Sequence, residues 1–244
     1  NSVISIGDYA FSNCSSLTSI QIPNSVTSIG EWALGYCSSL TSIEIGNSVT
    51  SIGNNAFAYC ESLTNIVVDY DNAVYESRNG CNAIIETASN TLIAGCKNTI
   101  IPNGVTSIGD RAFYGCSSLT KITCLATNPP TIKSYTFSNY SADLYVPVGC
   151  KAAYKSAKYW KNFNIINDTL DKPITLNDNN VTVASIGDYI VVKNATAGSV
   201  VRVYAVDGAM IASEVATEGD VVIEAPAKGI YVVTVGKQAV KVII

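Results

Sequence analysis

The residues of this chain best suited to chemistry are its cysteines, because its 244 residues include eight Cys and no His. Four cysteines recur at one position of a repeated segment: Cys14, Cys37, Cys60 and Cys116. Such a row could form a disulfide ladder or a thiolate metal site. However, side chains that point the same way lack the facing geometry of a disulfide, and no C-x-x-C pair occurs. We therefore expect a buried column of small apolar thiols.

A second pair, Cys81 and Cys96, flanks a predicted β-hairpin at residues 82–95. If Glu86 faces Thr91 across the turn, Cys81 faces Cys96 and a cross-strand disulfide can form. A slip of one residue in the strand register would separate the two thiols and leave them reduced. Both alternatives remain open.

Other catalytic and metal-binding patterns are missing from the sequence. The absence of His excludes Ser-His-Asp and Cys-His catalysis and His-ligated zinc. Acidic residues occur once or twice per repeat rather than in a cluster, and residues 69–72 lack the Gly and distal Glu of a calcium loop. We therefore expect a protein that is not an enzyme, with no catalytic residue, no cofactor and no metal ion.

These residues are carried by a repeat of 23 residues, found at 1–23, 24–46, 47–69 and 103–125. In the first copy, Ile20 and Ile22 alternate with polar residues, which predicts a strand with both isoleucines inward. Residues 8–14 have apolar side chains at helical spacing, which predicts a short helix or 3-10 arc. One copy cannot bury its own apolar face, so stacked copies must form a solenoid with a parallel sheet.

The outward strand positions are predicted to line a concave recognition face. They are small or polar, and we expect them to bind by many weak contacts: Ser19, Gln21, Ser42, Glu44, Asn65, Val67, Lys121 and Thr123. Four aromatic residues lie on the arcs instead: Trp32, Tyr36, Tyr59 and Tyr114. They could form an exposed aromatic stripe that binds partners on the convex side, but we expect them to be partly buried between coils.

The pattern L-x-x-I-x-I, with A-F-x-x-C-S-S upstream, resembles the leucine-rich repeats of BspA-like surface proteins over residues 1–166. The resemblance implies a leucine-rich repeat solenoid at a cell surface that attaches to host matrix proteins or to other bacteria. Within it, residues 70–102 are predicted to be an irregular insert. Residues 126–166 resemble the C-terminal cap of that family.

After a linker at residues 167–173, short β-branched segments alternate with turn signals, which predicts a small antiparallel β-sandwich over residues 174–244. The Y-x-x-D-G turn and the G-I-Y-V-V segment resemble the C-terminal sorting domain of type IX secretion substrates. This resemblance implies a secreted or outer membrane-associated protein. It implies nothing about activity.

Charge and hydropathy narrow the class of partner. A net charge of −4 argues against nucleic acid, and no apolar run is long enough to span a membrane. The chain begins with Asn-Ser-Val and has no signal-peptide pattern, so we expect a trimmed or mature fragment. We predict a non-catalytic secreted or cell-surface adhesion module whose ligand is a protein or glycan, with a host matrix protein as candidate. The alternative is a spacer that projects an N-terminal domain.

Overall fold

A computed structural model describes residues 2–147, 149–167, 174–176, 181–186, 189–205, 207–217, 220–226 and 229–243. The chain divides into two compact units, one of Asn1–Leu144 with Ala152–Ile165 and one of Tyr145–Lys151 with Ile166–Ile244. The strands up to the boundary of the first unit are β1 Ser5–Ile6, β2 Ser19–Ile22, β3 Ser28–Ile29, β4 Ser42–Ile45, β5 Ser51–Ile52, β6 Asn65–Val68, β7 Tyr75–Glu76, β8 Ala83–Glu86, β9 Thr91–Gly95, β10 Ile100–Ile101, β11 Ser107–Ile108, β12 Lys121–Cys124, β13 Asp143–Val146 and β14 Asn164–Asn167.

The strands of the second unit are β15 Ile174–Leu176, β16 Val181–Ile186, β17 Tyr189–Lys193, β18 Val200–Ala205, β19 Met210–Val215, β20 Val221–Glu224, β21 Ile230–Val235 and β22 Gln238–Ile243. Helical segments in the described part of the chain are short: helix α1 at Lys151–Ser156 and 3-10 turns at Arg78–Gly80 and Trp160–Asn162.

Each repeat copy forms one coil of a parallel solenoid and contributes two strands. We call residues 1–23, 24–46 and 47–69 coils 1, 2 and 3, and residues 103–125 coil 4. The longer strands pair in the order β2-β4-β6, with Ile20 beside Ile43 and Ile43 beside Ile66. The two-residue strands β1, β3 and β5 form a second parallel sheet. This second sheet was not predicted from the sequence, although T-S-I-G recurs at its position in three copies.

The arcs of the coils are turns, so the predicted helical or 3-10 arcs are wrong. Along residues 8–14 the amide groups alternate in direction. The N–H of Ala10 donates to Gly7 within the turn, whereas the N–H of Phe11 donates to the carbonyl of Ala33 in coil 2 at 2.7 Å. A helix would use all of these donors internally. Here a neighbouring coil offers carbonyl groups at hydrogen-bonding distance, and every second amide bonds to it.

Residues 70–102 also differ from the prediction, because the irregular insert behaves as a further coil. Strand β9 pairs in parallel with β11 of coil 4, and β10 pairs in parallel with β12. These two strands therefore take the places of the short and long strands of a regular coil. Strands β7 and β8 add antiparallel pairing to β9. We call residues 70–102 the insert coil.

The core of the first unit lies between the two sheets and the arcs. Leu34, Leu40 and Ile43 of coil 2 are fully buried, because coils pack on both of their sides. In coil 1, Phe11 and Ile20 are only half-buried.

The largest buried side chains of the first unit come from the C-terminal segment of that unit. Tyr154 donates its hydroxyl to the carbonyl of Ala126 at 2.7 Å, and Trp160 donates its indole N–H to the carbonyl of Pro130 at 2.6 Å. Both side chains are buried. The boundaries of the cap at residues 126–166 stay a prediction.

The second unit contains two antiparallel sheets, in the orders β15-β16-β17-β20 and β19-β18-β21-β22. Buried residues of both sheets, among them Ile190 and Val233, belong to one hydrophobic cluster. The antiparallel strands agree with the sequence analysis, while the β-sandwich arrangement stays a prediction. Residues 168–173 of the predicted linker lie outside the described residues.

We expect Phe57→Ala in coil 3 to lower the free energy of unfolding by about 3–5 kcal/mol, because it truncates a buried aromatic ring. Phe57 is 8% exposed and belongs to the core cluster. Phe11 has the same repeat position in the open coil 1, so Phe11→Ala is the matched control with a smaller expected loss. Urea unfolding followed by circular dichroism measures both. Equal losses would contradict this account of the core.

Candidate functional site

The predicted recognition face is present on sheet β2-β4-β6. The parallel register places Gln21 beside Glu44 and Glu44 beside Val67, and all three side chains are exposed. Ser19 and Asn65 are exposed in the same sheet, and Ser42 is half-buried between them. Since equivalent positions are one strand apart, the three coils present a regular array of outward side chains.

Lys121 and Thr123 do not belong to this array. Their strand β12 lies in another sheet, of order β10-β12-β13-β14. The prediction for Thr123 is wrong, because its side chain is only 3% exposed. It lies beside Ile100 of β10, and β13 flanks its strand on the other side. The insert coil thus divides the face that the sequence predicted as continuous.

A groove of about 730 Å³ runs across the ends of β2, β4 and β6. It is lined by the outward strand residues and by the turns that follow them: Gln21, Pro23, Asn24, Glu44, Gly46, Val67, Asp69 and Tyr70 among others. Tyr70 is 93% exposed at its rim. The groove therefore combines polar strand positions with apolar residues such as Val67 and with the aromatic ring of Tyr70.

The turn at the end of β6 is fixed by Asn72, whose structural role was not predicted from the sequence. Its buried side-chain amide donates to the carbonyl groups of Gly46 and Val49, at 2.9 and 3.0 Å. Its carbonyl oxygen accepts from the amides of Val74 and Tyr75. This network ties the turn to Gly46 of coil 2 and Val49 of coil 3. The signal in the sequence was a polar residue where the repeat first breaks down.

The charge of the groove is acidic. Glu44 and Asp69 line it, and residues 1–77 contain no Lys or Arg. The Asp71 carboxylate beside Tyr70 raises the pKa of that phenol through its negative charge. The surface therefore favours cationic over anionic groups.

The cysteine column is buried only where coils lie on both sides. Cys37 donates its thiol to the carbonyl of Phe11 at 3.1 Å, and Cys60 donates to Leu34 at 3.2 Å. Both are buried, whereas Cys116 is half-buried and Cys14 is exposed. The prediction is therefore wrong for Cys14, because coil 1 has a coil on one side only in this structure.

Cys81 and Cys96 are both buried and free in the structure. Glu86 pairs with Thr91 as predicted, but a register shift between Ile84 and Ile85 changes the pairing beyond it. The Cys96 thiol then donates to the carbonyl of Asn82 at 3.4 Å instead of lying opposite Cys81. This is the one-residue slip that the sequence left open. The redox state of the pair stays a prediction.

The described residues contain neither a metal-binding cluster nor a helix that could span a membrane. Among them, no group of three or more Cys, Asp or Glu side chains lies close enough to hold a metal ion. Within the same residues, no helix has the length and apolar character needed to cross a membrane.

Comparison with known families agrees with the coils and their register. Six copies of the BspA type leucine rich repeat region match the chain, over residues 1–88 and 90–189. The chain belongs to this family. Residues 170–244 match a domain of unknown function, DUF6383. The resemblance of this BspA-type chain to a type IX sorting domain therefore stays a prediction.

Two solved structures are similar to this BspA-type chain. A leucine rich cell surface protein from Faecalibacterium prausnitzii is 28% identical over 58% of the chain and 45% of that protein, with a TM-score of 0.43. A leucine-rich repeat protein from Eubacterium ventriosum is 17% identical over 60% of the chain and 64% of that protein, with a TM-score of 0.29. The chain spans less than two thirds of either protein. No curated protein matches it.

We expect the thiols of the BspA-type coils to differ in reactivity with their burial. A thiol reagent at pH 8 should modify Cys14 in the native protein and should reach Cys37 and Cys60 only after unfolding, because both thiols are buried. Peptide mapping by mass spectrometry identifies the labelled sites, and Cys14→Ser is the control that removes the fast phase. Native labelling of Cys37 as fast as that of Cys14 would contradict the column.

We also expect the protein to lose stability in alkaline solution. Burial raises the pKa of Cys60 from its ordinary 9.0 to about 12, so the unfolded chain releases this proton at lower pH than the folded chain. The free energy of unfolding should be unaffected below pH 9 and should fall toward pH 12, by up to about 1.4 kcal/mol per pH unit for this thiol. Urea titrations at several pH values should show a shallower fall for Cys60→Ala. An unchanged slope would refute the assignment.

Proposed function

We propose that this BspA-type repeat region is a non-catalytic binding module of a secreted or cell-surface protein. We further propose that the row Gln21–Glu44–Val67 contacts the partner. The observation that carries the proposal is the groove of about 730 Å³ that these residues form with the turns after β2, β4 and β6. A partner protein at a host or bacterial surface, such as a matrix protein, is the expected ligand.

The backbone under this row supports the proposal. Ile22, Ile43 and Ile45 are buried beneath it, and the strands are hydrogen-bonded in register to their neighbours. The outward side chains are therefore held on a rigid sheet before a partner arrives, which lowers the entropic cost of binding.

The chemistry of the groove favours a basic segment of the partner. Glu44 and Asp69 supply carboxylates, while Val67 and Tyr70 supply apolar and aromatic surface. Opposite charges should raise the association rate and make it depend on salt. No single residue resembles a dominant anchor, so affinity should be spread over several weak contacts or over several copies of the ligand.

Location outside the cytoplasm is part of the same proposal. The C-terminal strands resemble a sorting domain in sequence, which fits transport to the cell surface with the solenoid as the exposed part. A structural spacer that projects an N-terminal domain is the second candidate. The coils support it as well, since they stack in one direction through a repeated register.

The test is a triple variant, Q21K/E44K/V67K, compared with the matched control S15K/S38K/E61K. The control residues lie in the same three coils, are exposed outside the groove, and undergo the same total change in charge. We expect the groove variant to lose binding by about tenfold or more to immobilised matrix proteins, mucins or glycans that the parent binds, because Lys places a like charge against a basic segment. The control should bind as the parent does.

Circular dichroism and thermal unfolding establish that both variants are folded. Equal binding by the parent and both variants would refute the groove as the recognition face. Failure of the parent to bind any member of the panel would favour the spacer.

A further inference from the structure

A continuous row of aromatic rings crosses the arcs of the solenoid, away from sheet β2-β4-β6. The ring centroids of Trp32 and Tyr36 are 5.6 Å apart and those of Tyr36 and Tyr59 are 4.3 Å apart, with nearly parallel planes. Tyr59 and Tyr114 meet edge to face at 5.2 Å, and Tyr114 and Tyr135 at 6.3 Å. We call these five rings the aromatic row.

The aromatic row is not part of the core. None of its members belongs to the core cluster of the described residues. Tyr36 is 42% exposed and Tyr135 is 55% exposed, while Trp32, Tyr59 and Tyr114 are half-buried. Partial burial between coils, as predicted from the sequence, accounts for Trp32, Tyr59 and Tyr114 but not for the exposure of Tyr36.

The backbone conformation makes these aromatic residues costly to place. Trp32, Tyr36 and Tyr59 have φ values of 53°, 62° and 61°, in the left-handed region that bulky side chains avoid. The other coils also have a positive φ at these two repeat positions, with Asn13 and Gly115 at one of them and Tyr9, Asn55 and Arg111 at the other. Large rings therefore occupy strained positions that the core does not require, and strain of this kind is common at functional sites.

A cation lies at one end of the aromatic row. The guanidinium carbon of Arg111 is 5.8 Å from the ring centroid of Tyr114 and 5.9 Å from that of Tyr135. Among the described residues, the ion pairs are Arg78–Glu76 and Lys193–Asp220, and none involves Arg111. A guanidinium held over aromatic rings keeps its donors available for a carboxylate from outside.

We propose that the aromatic row and Arg111 bind a protein segment in which apolar side chains flank an Asp or Glu. Trp, Tyr and Arg are the residues that carry most of the energy in protein interfaces, and the outward face of β2-β4-β6 has no comparable cluster. The charge preference is opposite to that of the groove, because Arg111 attracts an anion. The inference rests on the proposed function as a binding module but uses a different surface.

The ring geometry favours a protein segment over a glycan. Tyr36 and Tyr59 stack face to face, so one face of each ring is covered by the other. Sugar rings stack on free aromatic faces, whereas peptide side chains and carbonyl groups can contact edges and hydroxyls.

The first variant for the test is W32N/Y36N/Y59N. It removes three rings while leaving Asn at left-handed positions, where coils 1 and 3 already have it. Arg111 has a φ of 57°, so Arg111→Asn removes the cation without backbone strain. Tyr9→Asn is the matched control, since Tyr9 is an exposed aromatic residue with a φ of 59° and does not belong to the row.

The experiment selects a phage-displayed library of random 12-residue peptides on the full chain, with counter-selection on W32N/Y36N/Y59N. Enriched peptides are synthesised and titrated against each folded variant by fluorescence, with Trp32 as the reporter in the parent, and by calorimetry. We expect peptides that combine Asp or Glu with aliphatic or aromatic residues. Their affinity should fall about tenfold or more in the triple variant and in Arg111→Asn. It should not change in Tyr9→Asn or in Q21K/E44K/V67K.

Several results would overturn the proposal. The first is no enrichment of the parent over the triple variant, and the second is enrichment of basic peptides or equal binding by Arg111→Asn. The third is binding of neutral or sulfated oligosaccharides to the aromatic row while the peptides stay inert. Peptides that lose affinity only in Q21K/E44K/V67K would refute the aromatic row and leave the groove as the binding face. Loss of binding in the aromatic-row variants alone would support the present proposal without depending on the groove.

Discussion

The structure of the first unit depends on one constraint, the hydrogen bonding of each coil to the next with a step of 23 residues. Beside the long strands the amides donate to the preceding coil, as Thr41 does to Thr18 at 2.8 Å. On the arcs they donate to the following coil, as Phe11 does to Ala33 at 2.7 Å. This spacing leaves little room at the turns. A Cβ on Gly53 would lie 2.5 Å from the backbone nitrogen of Glu31, so a larger residue there would push the coils apart.

The same constraint determines which side chains meet. Because equivalent positions stack, the inward isoleucines pack on one another, and the thiols of Cys37 and Cys60 each bond to the coil before them. When the same residue type occurs at one position in several copies of the repeat, its side chains form a row along the solenoid. This is why rings at the Tyr36 and Tyr59 position meet face to face although 23 residues separate them.

The long strands and the parallel register of the coils could be predicted from the sequence, because individual residues recur with the period of 23. The alternation of Ile20 and Ile22 gives the long strand, and identical spacing gives the parallel register. The rest depends on partners that a single copy does not contain. The arcs avoid a helix because acceptors lie in another coil, the strand of Thr123 pairs with β10 and β13 instead of β6, and a bulge beside Ile84 shifts Cys96. None of these leaves a local pattern. The two-residue strands are too short to show an alternation of their own, although T-S-I-G recurs at their position.

The insert coil has different consequences for the two candidate surfaces. Strand β6 is the edge strand of sheet β2-β4-β6, since β10 pairs with β12 and not with β6. The groove is therefore three strands wide, about 10 Å across its two strand spacings, which suits a peptide segment or a loop. On the arcs, coil 3 and coil 4 are bonded directly to each other, because the amide of Tyr59 in coil 3 donates to the carbonyl of Tyr114 in coil 4 at 3.0 Å. The aromatic row extends across this junction, so the longer continuous surface lies on the arcs and not on the sheet where the sequence placed it.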